Sequence, residues 1–324
     1  MKSVPNKDRL VTVFGGSGFV GRHVVRALAR QGYRVRIAVR RPDLAGHLQP
    51  MGAVGQIHAV QANIRDRASI ERAIAGSFAV INLVGILFET GRQKFDAVQA
   101  AGAGVVAEAA AAAGVAHFVH QSAIGADAQS SSAYGRSKAE GEANVLKAFR
   151  GAVILRPSII FGPEDTFFNR FAAMARLSPV IPLVGADTLF QPVFVGDVAA
   201  AALAAIEGKA KPGKTYELGG PETASFRDLI ARMLRIIERK RLIVTLPFAL
   251  ARFQAAFLQL MPKPLLTTDQ VRLLEHDNVV SAKAVSSGRT LRDLGVEPRA
   301  MEAILPGYLY RFRRAGEFRA GAAA

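Results

Sequence analysis

A tyrosine and a lysine stand four positions apart in the stretch SSSAYGRSKAEGE, residues 130–142. On a helix, this spacing places Tyr134 and Lys138 on one face, one turn apart. A phenol has a pKa near 10, so acid or base chemistry near neutral pH requires about 4 kcal/mol of differential stabilisation. An ammonium group one turn away is a suitable source of it. Taken alone, the pair has three interpretations: it performs chemistry, it holds a ligand, or it is an ordinary exposed helix face.

A glycine cluster lies between an apolar run and a helix-favouring stretch near the start of the chain, in VTVFGGSGFVGRHVV. The cluster satisfies both G-x-G-x-x-G and G-x-x-G-x-x-G. Glycines let the chain turn sharply and let a pyrophosphate approach the backbone N–H groups at the N-terminus of a helix. The loop therefore predicts dinucleotide binding. The residues that we expect to contact the dinucleotide here are Gly15, Gly16, Ser17, Gly18, Phe19, Val20 and Gly21.

The end of the second predicted strand, RIAVRRPD, indicates which dinucleotide is bound. An acidic residue at this position would contact the ribose hydroxyls of NAD. Arg40 and Arg41 stand there instead, and a guanidinium can pair with a 2′-phosphate through two hydrogen bonds. We therefore expect NADP(H) in preference to NAD. The alternatives are that the two arginines only end an exposed strand, or that Asp43 contacts the ribose.

The elements that must position these residues alternate between β-branched runs and Ala-rich helical stretches, as in the βαβ units of a parallel sheet. Helices are predicted at 21–32 and 105–114, each ending at a glycine. The predicted strands are residues 10–14, 34–39, 57–62, 79–84, 117–122 and 152–157.

After about residue 160, prolines interrupt this pattern. A strand and a helix that return to the sheet are predicted at 191–208. Residues 215–324 are mostly helical in pattern. We expect an α/β fold with a Rossmann-type, doubly wound parallel sheet and a smaller, mostly helical C-terminal lobe. The sheet domain would comprise 8–161 and 191–212, and the smaller lobe 162–190 and 213–324.

The cysteine count, the histidine spacing and the net charge limit the kinds of site and partner that this chain can have. The chain has no cysteine, and its six histidines form no ligand pair, so we expect no metal site. The net charge is +16, and residues 227–324 supply half of it, with 17 Lys and Arg against 9 Asp and Glu. This excess favours an anionic partner such as an acidic protein or a phospholipid surface, or it is a solvated basic surface. No recognition helix or stacking platform indicates nucleic acid.

The N-terminal residues have no apolar core of signal-peptide length, so we expect a cytoplasmic protein.

Seven motifs in order resemble the short-chain dehydrogenase/reductase superfamily, in its extended or atypical branch. They are GGSGFVG, NLVG (82–85), VHQSA, YGRSK, LRPSIIFGP (155–163), PVFVGDVA (192–199) and YELGGPE (216–222). The resemblance implies that Tyr134 and Lys138 line a nicotinamide site and act in catalysis with Ser122, which would hydrogen-bond a substrate oxygen where charge develops. It also implies further cofactor contacts from Asn63, Ile64, Leu83, Val84, Gly85, Pro157 and Ile160.

Two positions depart from the pattern of this superfamily. Gln99 stands where the family usually carries a structural and catalytic asparagine, which bears on the family's proton relay. Asn63 stands where an aspartate is expected beside the adenine, with Asp66 nearby.

Further stretches resemble, over nearly the whole chain, the NADPH-binding accessory subunit of respiratory complex I and its bacterial relatives. They include PMGAVGQI (50–57), VINLVGILFET (80–90), IIFGPEDTFFNRFA (159–172) and FQPVFVGDV (190–198). This resemblance implies that NADPH is held structurally or as a redox sensor near membrane and quinone machinery. The alternative is an active NADPH-dependent reductase of a lipophilic carbonyl or of a quinone precursor in ubiquinone biosynthesis. A nucleotide-sugar epimerase or dehydratase is a third interpretation, which no feature favours.

The most apolar segment, LPFALARFQAAFLQLM at 246–261, is too short and too interrupted by Arg252 and Gln254 to span a bilayer. It is either a core helix of the smaller lobe or an interfacial helix, with Leu250, Phe253, Phe257 and Leu260 on one face. With the basic C-terminal lobe, the second interpretation places the protein peripherally on the inner face of the cytoplasmic membrane.

Overall fold

The computed structural model of the protein describes residues 5–259, 261, 264 and 266–314. The described residues form two compact units. The first unit lies within Met1–Pro157, Gly196–Leu218 and Ser281–Glu297, and the second lies within Ser158–Val195, Gly219–Val280 and Pro298–Ala324.

The strands are short, as the β-branched runs of the sequence predict. In chain order they are β1 Leu10–Phe14, β2 Arg34–Val39, β3 Ile57–Gln61, β4 Ala79–Asn82, β5 His117–Gln121, β6 Val153–Pro157, β7 Ile160–Phe161, β8 Val180–Val184, β9 Leu189–Phe190, β10 Val193–Phe194, β11 Thr215–Leu218, β12 Ala224–Ser225 and β13 Leu242–Leu246.

The helices are longest in the first two thirds of the chain. They are α1 Phe19–Arg30, α2 Arg67–Ile74, α3 Ala101–Ala112, α4 Ala133–Ala148, α5 Phe168–Leu177, α6 Val195–Ile206, α7 Phe226–Ile236, α8 Phe248–Leu258, α9 Thr268–Leu273, α10 Ala282–Ser286, α11 Met301–Ile304 and α12 Pro306–Leu309. A π-helical turn at Asp96–Ala100 runs directly into α3.

The first unit is built on a seven-stranded parallel sheet in the order β11-β6-β5-β4-β1-β2-β3. The strand order reverses beside β1, because β2 and β4 pair with its two edges. In such a sheet, ligands bind at the carboxyl edge beside the reversal point. The predicted doubly wound sheet of Rossmann type is therefore confirmed, and the six strands predicted for it lie within one or two residues of their predicted ends.

Small side chains let the helices lie close to the sheet and to one another. The core of this unit packs Ala103, Ala107 and Ala110 of α3 against strand residues such as Phe14 and Phe118. Where α4 meets the π-helical turn before α3, a side-chain carbon at Gly141 would overlap the backbone carbonyl oxygen of Gln99. The Ala tract is therefore a packing surface.

The region after residue 212 differs from its prediction. The pattern indicated mostly helix, but Thr215–Leu218 forms the edge strand β11, paired with β6. Residues 281–297 also belong to the first unit, because Ser281 N donates to Glu217 Oε2 at 2.7 Å and Glu217 N donates to the carbonyl of Arg289 at 3.0 Å. Conversely, β10 does not return to the central sheet and pairs with β7.

Among its described residues, the second unit has a separate core and three two-stranded sheets. Phenylalanine rings form its centre, with Phe167 stacked on Phe226 at 5.4 Å between ring centroids. Asp165, 3% exposed, accepts hydrogen bonds from Tyr308 Oη at 2.5 Å, from Gly162 N at 3.1 Å and from Asn169 N at 3.1 Å. The bond from Tyr308 attaches the FGPEDTFFNRFA segment to α12, and the other two bonds lie within the segment.

Helix α8 has one packed face and one exposed face. Ala251 and Ala255 are fully buried, whereas the rings of Phe253 and Phe257 are 64% and 61% exposed. The expectation of an apolar helix face thus fits residues 248–258, and Leu260, which was predicted to share that face, lies outside the described residues. Across the described ranges, no helix is long and apolar enough to cross a membrane.

The contact between α4 and the π-helical turn predicts that adding one methyl group at Gly141 has a larger effect than adding one at an open position. Gly141→Ala should lower the free energy of unfolding by about 1–3 kcal/mol, because overpacking against a backbone atom forces the helices apart. Gly46→Ala, where the added carbon meets nothing within 4 Å, should change it by less than about 0.5 kcal/mol. Urea unfolding followed by circular dichroism measures both, and equal effects of the two substitutions would contradict this account of the contact.

Candidate functional site

The loop between β1 and α1 is shaped by its glycines. Gly15 adopts φ +76°, a left-handed conformation that favours glycine, and its carbonyl accepts from Gly18 N at 3.0 Å. A side-chain carbon at Gly21 would overlap Gly15 O, and one at Gly16 would lie 2.8 Å from Ile37 Cγ2. The loop therefore folds back against the start of α1 and leaves the N-terminus of this helix open.

A cavity of about 410 Å³ lies at the carboxyl edge of β1 to β4 and includes this loop. Ten residues that the sequence predicts as cofactor contacts line it: Gly15, Ser17, Gly18, Arg40, Arg41, Asn63, Ile64, Leu83, Val84 and Gly85. Gly16, Phe19, Val20 and Gly21 are not among the lining residues, although they belong to the same loop or to the first turn of α1.

Sequence reasoning missed a second set of lining residues. Several stand at or just after the ends of predicted strands, which was a usable signal, because the carboxyl ends of parallel strands meet at one edge. The missed residues are Phe14, Ala38, Val39, Leu44, Ala62, Arg65, Ile86, Gln93 and Val98.

The two arginines at the end of β2 are in different electrostatic situations. Arg41 donates from Nε to Asp43 Oδ1 at 3.0 Å and from a terminal nitrogen to Asp43 Oδ2 at 2.7 Å, and this pair is solvent-exposed. The guanidinium beside Asp43 holds the pKa of that carboxyl below its usual range. Within the described part of the chain, Arg40 has no ion-pair partner, so of the two arginines at the end of β2 it is the one whose charge is not neutralised by a carboxylate.

The structure brings Tyr134 and Lys138 together on α4, which begins after the cap Ser132. Lys138 Nζ lies 5.8 Å from the centroid of the Tyr134 ring and donates to the carbonyl of Gln121 at 3.4 Å, directly before Ser122. Tyr134 also packs edge-to-face on Phe95, with 5.9 Å between centroids. None of Ser122, Tyr134 and Lys138 lines the cavity described above.

Ser122 directly follows the last residue of β5 and is buried. Its N–H donates to the carbonyl of Leu155 at 2.7 Å, while its Oγ, among the residues that the structure describes, has no hydrogen-bond partner. A buried hydroxyl without a partner costs free energy, so a bound ligand oxygen is a favourable partner for it.

Burial sets the protonation of this group of residues. It raises the pKa of Tyr134 to about 12, so the phenol keeps its proton at neutral pH. Burial also lowers the pKa of Lys138 to about 8, with Glu142 one turn further along α4 opposing this shift. The pKa of His120 falls to about 3 through burial and the neighbouring Lys138, so the imidazole is neutral.

Gln99 holds this arrangement together. Its Oε1 accepts from Ile86 N at 3.3 Å, and its Nε2 donates to Ser137 Oγ at 3.0 Å. The side chain thus joins the loop after β4 to α4. The sequence identified Gln99 only as a departure from the family pattern. These contacts explain how a glutamine, which is longer than the asparagine usual at this position, is accommodated in the π-helical turn.

Two other predicted contacts lie elsewhere. Pro157 ends β6, and its carbonyl accepts from Ile124 N at 3.0 Å, close in sequence to Ser122. Ile160 belongs to β7 in the second unit. No cluster of metal-ligating side chains occurs in the described ranges of the chain.

The lowered pKa of Lys138 predicts a pH-dependent stability in the absence of nucleotide. Between about pH 8 and the unfolded value of 10.5, the unfolded chain binds a proton that the native protein has released, so stability rises with pH. Lys138→Met should therefore stabilise by about 3 kcal/mol below pH 8 and by progressively less towards pH 10.5.

Urea unfolding at about pH 7 and about pH 10 measures this difference. Lys147→Met, an exposed position on the same helix, is the control and should show no such trend. An advantage of Lys138→Met that is equal at both pH values would contradict the assigned shift.

Comparison with known proteins shows the family to which the chain belongs. Residues 11–219 match the model of the NAD dependent epimerase/dehydratase family. The chain is 34% identical to the NADH dehydrogenase [ubiquinone] 1 alpha subcomplex subunit 9, mitochondrial, of Arabidopsis thaliana, covering 95% of this chain and 79% of that protein. It is 35% identical to the ceramide reductase of Caulobacter vibrioides over 59% of each chain.

A structural neighbour extends the fold comparison. The Bordetella bronchiseptica enzyme WbmG, solved in complex with NAD and UDP, superimposes with a TM-score of 0.71 at 15% identity, covering 93% of this chain and 94% of that one. At this identity, the likeness concerns the fold alone. The sequence resemblance to the accessory subunit is confirmed by the relatives, and the chain belongs to the NAD dependent epimerase/dehydratase family, in the branch that includes the alpha subcomplex subunit 9 proteins.

Proposed function

We propose that this protein binds NADP(H) at the carboxyl edge of its parallel sheet and acts as an accessory subunit of a respiratory NADH–ubiquinone oxidoreductase, holding the nucleotide as a structural or redox-sensing group. The observation that carries the proposal is the similarity to the alpha subcomplex subunit 9 proteins, which extends over 95% of this chain. The peripheral, inner-face location at the membrane is part of the same proposal.

The nucleotide fits the residues at the cavity. Gly15 and Gly18 leave space for phosphate oxygens to approach the N-terminus of α1, where backbone N–H groups and the helix dipole favour anions. Asn63 and Ile64 would face the adenine end. Arg40 and Arg41 would pair with a 2′-phosphate, Arg40 directly and Arg41 in exchange for Asp43.

The nicotinamide end would lie towards Ser122, Tyr134 and Lys138, past the loop Leu83–Gly85. NADPH, when bound, supplies a hydride. Ser122 Oγ would donate to or accept from a ligand oxygen, and Tyr134, protonated at neutral pH, would donate a hydrogen bond. Lys138, which contacts the carbonyl of Gln121 and lies 5.8 Å from the centroid of the Tyr134 ring, would hydrogen-bond the nicotinamide ribose and add positive charge.

A second candidate function is an active NADPH-dependent reductase of a lipophilic carbonyl or quinone precursor. The intact set Ser122, Tyr134 and Lys138 favours it, as does the 35% identity to a ceramide reductase. Burial raises the pKa of Tyr134, so the phenol would act as a catalytic acid or base near neutral pH only if the bound nucleotide lowered that pKa.

The assignment of NADP(H) predicts that removing the Arg40 side chain weakens binding of NADPH more than binding of NADH. Arg40→Ala should weaken NADPH binding by about tenfold or more, because a charge-assisted pair with the 2′-phosphate is lost, and should change NADH binding by less than about threefold. Isothermal titration calorimetry measures both affinities. Arg30→Ala, an exposed arginine in the last turn of α1, is the control. Equal loss of affinity for the two nucleotides would contradict the assignment of NADP(H).

Removal of the phenol hydroxyl separates the two candidate functions. Tyr134→Phe preserves the packing against Phe95. If the nucleotide is a structural group, this variant should retain NADPH affinity within about threefold and should still co-purify with the membrane oxidoreductase of its own cells. If the protein is a reductase, the variant should bind NADPH and fail to restore the phenotype of a deletion strain, an outcome that would reject the structural role.

A further inference from the structure

A dense group of cations lies in the second unit and shares no residue with the set assigned to the nucleotide. We call it the basic cluster and define it as Arg176, Arg235, Arg239, Lys240, Arg241, Arg313 and Arg314. It forms where α7 ends, the chain turns at Glu238 with a left-handed φ of 55°, and β13 begins. Arg176 joins it from the last turn of α5.

Hydrogen bonds to the backbone hold three of these arginines in place. Arg239 Nε donates to the carbonyl of Phe312 at 2.8 Å, and Arg241 Nε donates to the carbonyl of Ala175 at 2.7 Å. Arg313 Nε donates to the carbonyl of Ile236 at 3.0 Å. Because three chain segments are tied together through arginines, the concentration of charge is a fixed feature of the fold.

The positive charge of the basic cluster is poorly balanced. Glu238, 3.4 Å from Arg313 Nε, is the one carboxylate within ion-pair range of the cluster among the described residues. Desolvation is the main cause that lowers the pKa of Arg239. Repulsion from Arg241, Arg314 and Arg176 lowers it further. An anionic partner would relieve this repulsion.

Exposed leucines adjoin the cations and indicate which anion is suitable. Leu177, directly after Arg176, is 90% exposed, and Leu242, directly after Arg241, is 64% exposed. Leu242 N donates to the carbonyl of Pro179, two residues after Leu177, at 3.0 Å, so the two segments run together. Free phosphate has no apolar part for an aliphatic side chain to contact, whereas a phospholipid surface offers phosphates to the arginines and an acyl boundary to the leucines.

We infer that the basic cluster, with Leu177 and Leu242, is a docking surface for a bilayer that contains anionic phospholipid. The inference rests on the proposed function for its setting, since an accessory subunit of a membrane enzyme works at such a surface. It names the part of the protein that meets the lipid, and it does so with residues that have no part in nucleotide binding.

Vesicle co-sedimentation of the full chain tests the inference. The wild type should bind vesicles of phosphatidylcholine with about one third phosphatidylglycerol, bind pure phosphatidylcholine at least tenfold more weakly, and dissociate at high salt. The triple variant Arg176→Gln, Arg235→Gln, Lys240→Gln should bind the anionic vesicles at least tenfold more weakly, since each cation near the surface contributes about fivefold. These three exposed side chains make no hydrogen bond or ion pair among the described residues, so the variant should fold.

The matched control removes the same charge from the first unit. Arg26→Gln, Arg30→Gln, Arg72→Gln should change vesicle binding by less than about threefold. Equal losses in the two triple variants would show that net charge alone attracts the vesicle and would overturn the inference. Equal binding of the wild type to neutral vesicles would overturn it as well.

A third experiment distinguishes binding to a lipid surface from binding to free phosphate. Leu177→Ser should weaken vesicle binding severalfold, and inorganic phosphate at the concentration of the lipid phosphate should not displace the vesicles. Displacement by phosphate, or no effect of Leu177→Ser, would overturn the lipid assignment. NADPH affinity should be unchanged in all variants, so loss of vesicle binding rejects only the docking surface, whereas failure of the wild type to bind NADPH rejects the proposed function.

Discussion

The close approach of α4 to the π-helical turn before α3 determines the geometry of the candidate site. Because Gly141 has no side chain, the helix lies directly against the carbonyl of Gln99. At this separation the Gln99 amide reaches both Ile86 N and Ser137 Oγ, so the loop after β4 and the face of α4 are fixed relative to each other. The same packing buries Lys138 and removes water from around its ammonium group, which explains its low pKa.

Burial of a cation on α4 is made tolerable by an extended polar network. Glu142 lies one turn after Lys138 and opposes the shift of its pKa. Arg156 on β6 donates two hydrogen bonds to Glu142, at 2.8 Å and 2.6 Å, and lies 4.0 Å from Glu217 on β11. The edge strand is therefore connected to the site through charged groups. In a poorly hydrated region such a network fixes one arrangement, because each member would be costly to leave unpaired.

The large positive charge serves different purposes in different parts of the chain. In the first unit, several arginines satisfy backbone carbonyls or carboxylates, as Arg36 does with the carbonyls of Ala73 and Ala75. At the end of α7, by contrast, arginines gather beside one another with a single nearby carboxylate among the described residues. A solvated basic surface would spread its charges apart, since repulsion favours separation. Their concentration beside exposed leucines therefore points to a function in binding.

The sequence by itself determined the six strands before residue 158, the glycine loop, the pairing of Tyr134 with Lys138 on one helix face, and the family. These follow from local patterns, because strand period, glycine conformation and helical spacing depend on near neighbours in the chain. Only the tertiary structure decided that Thr215–Leu218 and residues 281–297 complete the sheet unit, that Gln99 joins two elements, and that Asp43 pairs with Arg41. It also decided that the pKa of Tyr134 is raised in the folded protein. Strand partners and burial depend on residues far apart in sequence, and local patterns do not encode that proximity.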